Sequence, residues 1–293
     1  MKARKNFPSF TDRRCLFFQA LCLLFCLSVC CAASAGPYDE GGILRLVNRD
    51  EVLPQNYVPE DMILPNVPTN KASQRESIYM RPEAAQALEE MFAAAESEAG
   101  YHLLAVSGYR SYGTQYLLFK RKVESVGSRE RAQRTVAPAG ASEHQLGLAM
   151  DVVSDTFRYL NKDFLTTKEG KWVDDNCWRF GFIVRYRAEW KDVTGCNAEP
   201  WHIRYLGKAH AMAVTQLNVP YETYAAHARQ LPDYVLENAD GELLTALVGD
   251  MLSGNYEMAE VAQNSSTKTE RAGRALLNEL TAYYASASMA DGE

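Results

Sequence analysis

The sequence predicts an α+β fold: a small, mainly antiparallel sheet flanked by helices and followed by a helical C-terminal extension. Three observations lead there. Short β-prone runs and amphipathic helical runs mingle without the strand–helix–strand rhythm of a parallel sheet. Beyond Gly207 the apolar spacing is helical throughout. The 293 residues, 47% hydrophobic and 23% charged, suffice for one sizeable core with appendages, which excludes disordered, collagen-like and multi-span membrane chains.

Taken in order, residues 1–35 read as a signal peptide or N-terminal membrane anchor. Lys2, Arg4, Lys5, Arg13 and Arg14 precede an apolar run from about Leu16 to Ala33, and Ala33-Ser34-Ala35 offers the small residues a signal peptidase accepts. Cleavage before Gly36 is the first reading. The run is nearly long enough to stay in a membrane, and Leu27-Ser28-Val29-Cys30 is a poor lipobox. Cleavage removes five basic residues and one acid, moving the formal charge from −6 to −10. An acidic, exported domain results, with no clustered cations to follow a phosphate backbone and hence no nucleic-acid partner.

Residues 36–231 are expected to form the main folded domain. Its lead-in, 36–80, has a strand candidate at Leu44, Leu46 and Val47, while Pro54, Pro59, Pro65 and Pro68 exclude a continuous helix, so the segment is expected to wrap the surface. Pro82 opens a helix whose buried stripe is Leu88, Met91, Phe92 and Ala95, and Gly100 closes it. A strand from His102 to Val106 delivers Arg110 to the loop at its end. A helix over 114–126 follows, then a strand Leu148–Val153 with Ala149, Asp151 and Val153 on one face, where the carboxylate requires a partner. A helix around Val173, Cys177 and Phe180 ends at Gly181 and leads into the strand Phe182–Tyr186. The last strand is Trp201–Leu206. Helices over 208–229 pack on this domain, and 232–293 forms the extension, with amphipathic stretches Leu243–Leu252 and Ala272–Tyr284 separated by polar residues 263–267.

Reactive residue types gather in two segments. Of five histidines, His144 stands in Ser142-Glu143-His144-Gln145-Leu146-Gly147-Leu148-Ala149-Met150-Asp151, and His202 in Glu199-Pro200-Trp201-His202-Ile203-Arg204-Tyr205. Two imidazoles and the Asp151 carboxylate make the three-ligand set of catalytic zinc. Such a Zn²⁺ lowers the pKa of water to about 7 and polarises a carbonyl. A base that is not a ligand is also needed, and Glu199 is the candidate. In a regular strand residues 199 and 202 face opposite ways, so Pro200 must interrupt the strand for them to converge. His102, His210 and His227 lack companions and read as structural, as do Arg204 and Tyr205, with Trp201 as core packing. Cys177 and Cys196, 19 positions apart and alone beyond residue 35, are expected to form a disulfide in an exported protein, contributing about 3 kcal/mol by loop entropy.

The motifs Ser107-Gly108-Tyr109-Arg110-Ser111 with Gln115, Ser142-x-His144-x-x-Gly147-x-Ala149-x-Asp151 and Glu199-Pro200-Trp201-His202-x-Arg204-Tyr205, in this order, resemble those of the VanY-type zinc D-alanyl-D-alanine carboxypeptidases. The resemblance runs from about residue 44 to 227 and includes Tyr79-Met80-Arg81-Pro82 and Gly181-Phe182-Ile183-Val184-Arg185-Tyr186. It implies the fold shared by zinc D,D-peptidases and the Hedgehog signalling domain, with His144, Asp151 and His202 as Zn²⁺ ligands and Glu199 as catalytic base. It assigns Arg110 to the substrate's terminal carboxylate or to the oxyanion, with Gln115 and Ser142 completing the grip. The implied partner is a peptidoglycan stem peptide that loses its C-terminal D-alanine in the cell envelope. An L,D-carboxypeptidase acting on the stem tetrapeptide needs the same metal, base and grip. A non-catalytic wall-binding module would be marked by loss of a ligand or of the base, whereas all four positions are filled.

Overall fold

The computed structural model describes residues 36–39, 41–71, 77–265 and 270–290, and its centre is a four-stranded sheet in the order β1–β2–β4–β3, antiparallel throughout. The strands are β1 (Leu103–Ser107), β2 (Ala149–Ser154), β3 (Phe182–Tyr186) and β4 (Glu199–Tyr205). Helix α1 (Pro82–Ala99) starts at Pro82 and stops at Gly100 in the left-handed conformation, as its sequence dictates. Helix α2 (Tyr112–Val126) is capped by Ser111, which accepts a hydrogen bond from the Thr114 amide. Helix α3 (Lys168–Asn176) tightens into a 3₁₀ turn, Cys177–Phe180, before β3.

Alternation along the strands gives the sheet two unlike faces. One carries Ala105, Met150, Val152, Ile203, Phe182 and Val184, all buried against α1, the lead-in and α3. The other carries Asp151 and His202, which are cross-strand partners. Hydrophobic burial on the first face thereby turns the polar residues of the same strands toward the second.

Beyond β4 the chain is helical: α4 (Lys208–Leu217), α5 (Tyr221–Ala228), α6 (Asp233–Asn238), α7 (Gly241–Leu252), α8 (Glu257–Asn264) and α9 (Glu270–Ala290). Helix α8 lies between the two predicted amphipathic stretches and reaches into the first residues of the polar spacer. Leu236, Leu244, Leu247, Val248, Leu276 and Leu280 share one cluster with Leu206, Ala211, Val214 and Tyr221, so the extension and the helices after β4 bury a common core. From Gly36 onward the described residues form one compact unit.

Two expectations for the lead-in need correction. No strand forms at Leu44–Val47, because the carbonyls there are engaged by side chains: Ile43 and Arg45 accept from Arg204, and Leu44 accepts from Tyr221. Nor does the segment merely wrap the surface, since Leu44, Leu46, Val47, Leu53, Val67, Ile78 and Met80 are all buried. The signal-peptide and anchor readings of residues 1–35 lie outside the described residues. Among the described residues no helix is long and apolar enough to cross a membrane.

The shared core makes a stability prediction. Ending the chain at Leu231 uncovers apolar surface on α4 and α5, and losing even two leucine contacts of about 2 kcal/mol each lowers the melting temperature by roughly 10 °C. Calorimetry of residues 36–231 beside 36–293 reads this directly; equal midpoints would show that the extension folds apart.

Candidate active site

Sheet register assembles the first part of the site. Asp151 pairs with His202 on β4 and with Ser107 on β1, so the middle strand holds its carboxylate between the two neighbours that lead to the other reactive groups. Past Ser107 the backbone passes so close to the Ile78–Tyr79 segment that a Cβ at Gly108 would lie 2.6 Å from the Tyr79 carbonyl oxygen. Only glycine fits there. The Gly108 carbonyl accepts a hydrogen bond from His144 Nδ1 at 2.7 Å, and the Arg110 amide donates to the His144 carbonyl at 3.1 Å. These bonds clamp the 3₁₀ turn Glu143–Leu146 to the β1–α2 loop, and Gly147, at φ 69°, releases the chain into β2.

His144, Asp151 and His202 each offer a ligand atom, and these atoms lie within 4.8 Å of one another. His144 Nε2 is 3.5 Å from Asp151 Oδ2, and His202 Nδ1 is 3.1 Å from Asp151 Oδ1. The outer partners test whether this cluster suits a metal. Since His144 Nδ1 donates to a carbonyl, the lone pair sits on Nε2, which faces Asp151. His202 turns Nε2 to Glu143 at 3.2 Å and Nδ1 to Asp151. Two imidazole nitrogens and one carboxylate converge with their other polar atoms engaged, which fits a three-ligand metal centre.

Glu199 reaches the same cavity, but not by the predicted route. Pro200 does not break β4; the strand runs from Glu199, and its pairing with β3 shifts register between Val184–Ile203 and Tyr186–Glu199. Two residues of β3 thus face four of β4, and this bulge lets positions 199 and 202 line one cavity. Its volume is about 610 Å³, and its walls include all seven predicted site residues, Arg110, Gln115, Ser142, His144, Asp151, Glu199 and His202. Arg110 is held in place: Nη1 donates to Gln115 Oε1 at 2.8 Å and Nη2 to Ser107 Oγ at 2.9 Å, with Asp151 at 3.8 Å. Gln115 is buried and passes the restraint on to the Ala137 carbonyl.

The electrostatics follow from burial. Desolvation, reinforced by Asp151, pushes the Glu199 carboxyl up to about 8 against the pull of His202 and Arg110. Such a group exchanges protons near neutrality. Burial works against charge on Asp151 too, yet His144 and His202 hold it well below the usual carboxylate range. Burial alone would lower His202, but the hydrogen bonds it donates to Asp151 and Glu143 raise it to about 9. Burial and the Arg110 charge lower His144.

Residues that sequence reasoning missed lie behind this cluster. Glu143 is wholly buried; its Oε1 accepts from Arg185 Nε at 2.9 Å and Arg204 Nη1 at 3.0 Å, and Oε2 meets His202. Arg185 also grips Glu222 of α5 with both terminal nitrogens. The available signal was Arg185 itself, a cation inside the apolar run Phe182–Tyr186 that had to find an anion. The structural readings of His210 and Arg204 agree with their contacts: His210 bonds the Tyr224 hydroxyl and the Leu236 carbonyl, and burial takes it down to about 4.

The expected Cys177–Cys196 disulfide is absent, and both are free thiols. Cys177 is buried in the apolar cluster beside Phe180 and Phe182, whereas Cys196 lines the active-site cavity in the loop before Glu199, so the two occupy different surroundings.

The sequence model described as VanY, D-alanyl-D-alanine carboxypeptidase, matches residues 77–208. The YodJ protein of Bacillus subtilis (strain 168) is 44% identical over 190 residues, 64% of this chain and 69% of that protein. The chain belongs to the VanY family of D-alanyl-D-alanine carboxypeptidases. Among solved structures, the LdcB LD-carboxypeptidase superposes with a TM-score of 0.60 at 44% identity, covering 64% of this chain and 87% of that one. A mutant of the vancomycin-resistance D,D-pentapeptidase VanY in complex with Zn(II) gives 0.51 at 29% identity, covering 61% and 96%. The VanY match contains every predicted site residue and Glu143, while Glu222 lies beyond it.

Burial pushes both thiols up to about 12, so below that pH they stay protonated and react slowly. Native protein of residues 36–293 should label at least about a hundredfold more slowly than free cysteine. Unfolded without reductant, it should take up two labels per chain by mass spectrometry; no labels would restore the disulfide.

Proposed function

We propose that this protein is a zinc-dependent carboxypeptidase that removes the C-terminal D-alanine from peptidoglycan stem peptides. The observation that carries this reading is the meeting of His144, Asp151, His202, Glu199 and Arg110 in one cavity. His144, Asp151 and His202 would hold the ion, and the zinc found in the related VanY structure supports that choice of metal. When bound, it supplies Lewis acidity to the scissile carbonyl and acidifies the attacking water. Glu199 takes the proton from that water and delivers it to the departing amine, the double role that a buried carboxyl able to titrate near neutrality can fill.

Arg110 gives the enzyme its preference for a chain end. Its guanidinium is immobilised by Ser107 and Gln115, with Ser142 on the same wall, and it offers a planar, charged donor to a terminal carboxylate that an internal peptide bond lacks. Arg121 and Lys122 of α2 line the same cavity and add a positive field that draws in an anionic terminus.

Two specificities share this machinery. D,D activity, cleaving between two D-alanines of the pentapeptide, is supported by the family description. L,D activity, taking D-alanine from the tetrapeptide, is supported by the higher identity to the LdcB LD-carboxypeptidase. A wall-directed enzyme acts outside the cytoplasm, which accords with reading residues 1–35 as an export signal or anchor.

Mass spectrometry of the protein with each stem peptide, with zinc and with a chelator, tests the proposal. Chelator-sensitive loss of one alanine from the pentapeptide supports D,D activity, and loss from the tetrapeptide alone makes the enzyme L,D. If neither peptide changes while zinc is bound, the carboxypeptidase reading fails. Glu199→Ala should retain zinc and lose about 10²–10⁴-fold in turnover; wild-type turnover would remove Glu199 from the role of base. Arg110→Lys should lower kcat/KM by about tenfold or more, because an ammonium cannot make the two-pronged contact; an unchanged value would free Arg110 from substrate binding.

A further inference from the structure

The proposed mechanism uses the groups that face the cavity and leaves Glu143 without a part. Yet this side chain is fully buried and directed at a predicted ligand from behind. Its neighbour in sequence is His144, so a single 3₁₀ turn presents one imidazole to the cluster and one carboxylate to the rear of the other imidazole. The two rings meet edge to face, with centroids 4.9 Å apart.

The orientation of Glu143 is over-determined. Oε1 is occupied by Arg185 and Arg204, both fully buried, so the carboxylate cannot rotate without breaking two charged hydrogen bonds. Arg204 is fixed in turn by the Ile43 and Arg45 carbonyls, and Arg185 by Glu222. Only Oε2 is left for His202 Nε2, and an ionised carboxylate oxygen can only accept. Nε2 must then keep its proton, and Nδ1, the atom that faces Asp151, is the nitrogen that can give up its proton to bind a metal.

We propose that Glu143 is a positioning residue that commits His202 to the Nε2–H form, so that Nδ1 alone is presented to the metal. The inference rests on the metal-site part of the proposed function and extends it to a second layer, in which Arg185 and Arg204 hold the carboxylate and α5 contributes Glu222. Glu222 neutralises Arg185 but does not touch His202, which separates orientation of the imidazole from general charge balance.

The test uses the purified full chain and reads metal binding rather than peptide cleavage. In the wild-type protein loaded with zinc, ¹⁵N NMR of the histidine side chains should show His202 coordinated through Nδ1, with a slowly exchanging proton on Nε2. Coordination through Nε2 would overturn the proposal, and this observation needs no variant to fold. In chelator competition, Glu143→Gln should bind zinc about 10–100-fold more weakly, the usual cost of losing such an outer partner, while Glu222→Gln should change affinity less than threefold. A Glu143→Gln protein that melts cooperatively and binds zinc as tightly as wild type would also overturn it. Failure of the wild type to bind zinc would instead count against the proposed function as a whole.

Discussion

The pairing of Asp151 with His202 across β2 and β4 is the constraint on which the site depends. A slip of one residue would exchange every side chain of a strand between the two faces. Asp151 would then enter the apolar layer occupied by Met150 and Val152, and the ligand cluster would come apart. What forbids the slip is the opposite face, where Met150, Val152, Ile203, Phe182 and Val184 bury their side chains against α1 and α3. Hydrophobic burial therefore selects the register, and the register creates the polar site. The β1 pairing completes the logic by placing Ser107 beside Asp151, three residues before Arg110.

A second constraint is charge. Glu143, Arg185 and Arg204, all buried, and the half-buried Glu222 form a quartet with two charges of each sign. Taking four ions out of water is costly, and the cost is offset only when their hydrogen bonds are nearly all made. The quartet meets that condition by recruiting distant segments, the lead-in through the Ile43 and Arg45 carbonyls and α5 through Glu222. The lead-in and the helices after β4 are thus tied to the rear of the site by polar bonds as well as by apolar packing.

Much of this was legible in the sequence, for reasons tied to particular residues. Pro82 and Gly100 bound a helix because each suits only its end of one, and the run Phe182–Tyr186 is a strand because little else suits its β-branched and aromatic residues. The reactive residues were legible because their types and order are unusual together. Less legible was whatever depended on pairings distant in sequence. Nothing local to Leu44–Val47 announces that Arg204 will take its carbonyls, and nothing local to Pro200 reveals a bulge defined by the partner strand. Glu143 went unread because its partners, Arg185, His202 and Arg204, lie far along the chain, and the cysteines misled because sequence separation says little about the direction a thiol takes.

The charge of the inner site also explains why the proposed activity suits a free chain end. Glu143 and its arginines balance with Glu222, leaving Arg110, Asp151, His202 and Glu199 to set the local field. Without a metal, Glu199 keeps its proton to about pH 8 and His202 its second proton to about pH 9, so near neutrality Arg110 and His202 outweigh Asp151 by one charge. A dication held by His144, Asp151 and His202, as the proposed function requires, would favour an ionised Glu199 and a neutral His202, and the inner site would again carry one positive charge in excess. A substrate terminating in a carboxylate would cancel that excess, whereas an internal peptide segment would leave it unbalanced. Under the proposed function, exopeptidase selection would follow from the same charges that activate the water, with Arg110, fixed by Ser107 and Gln115, receiving the anion.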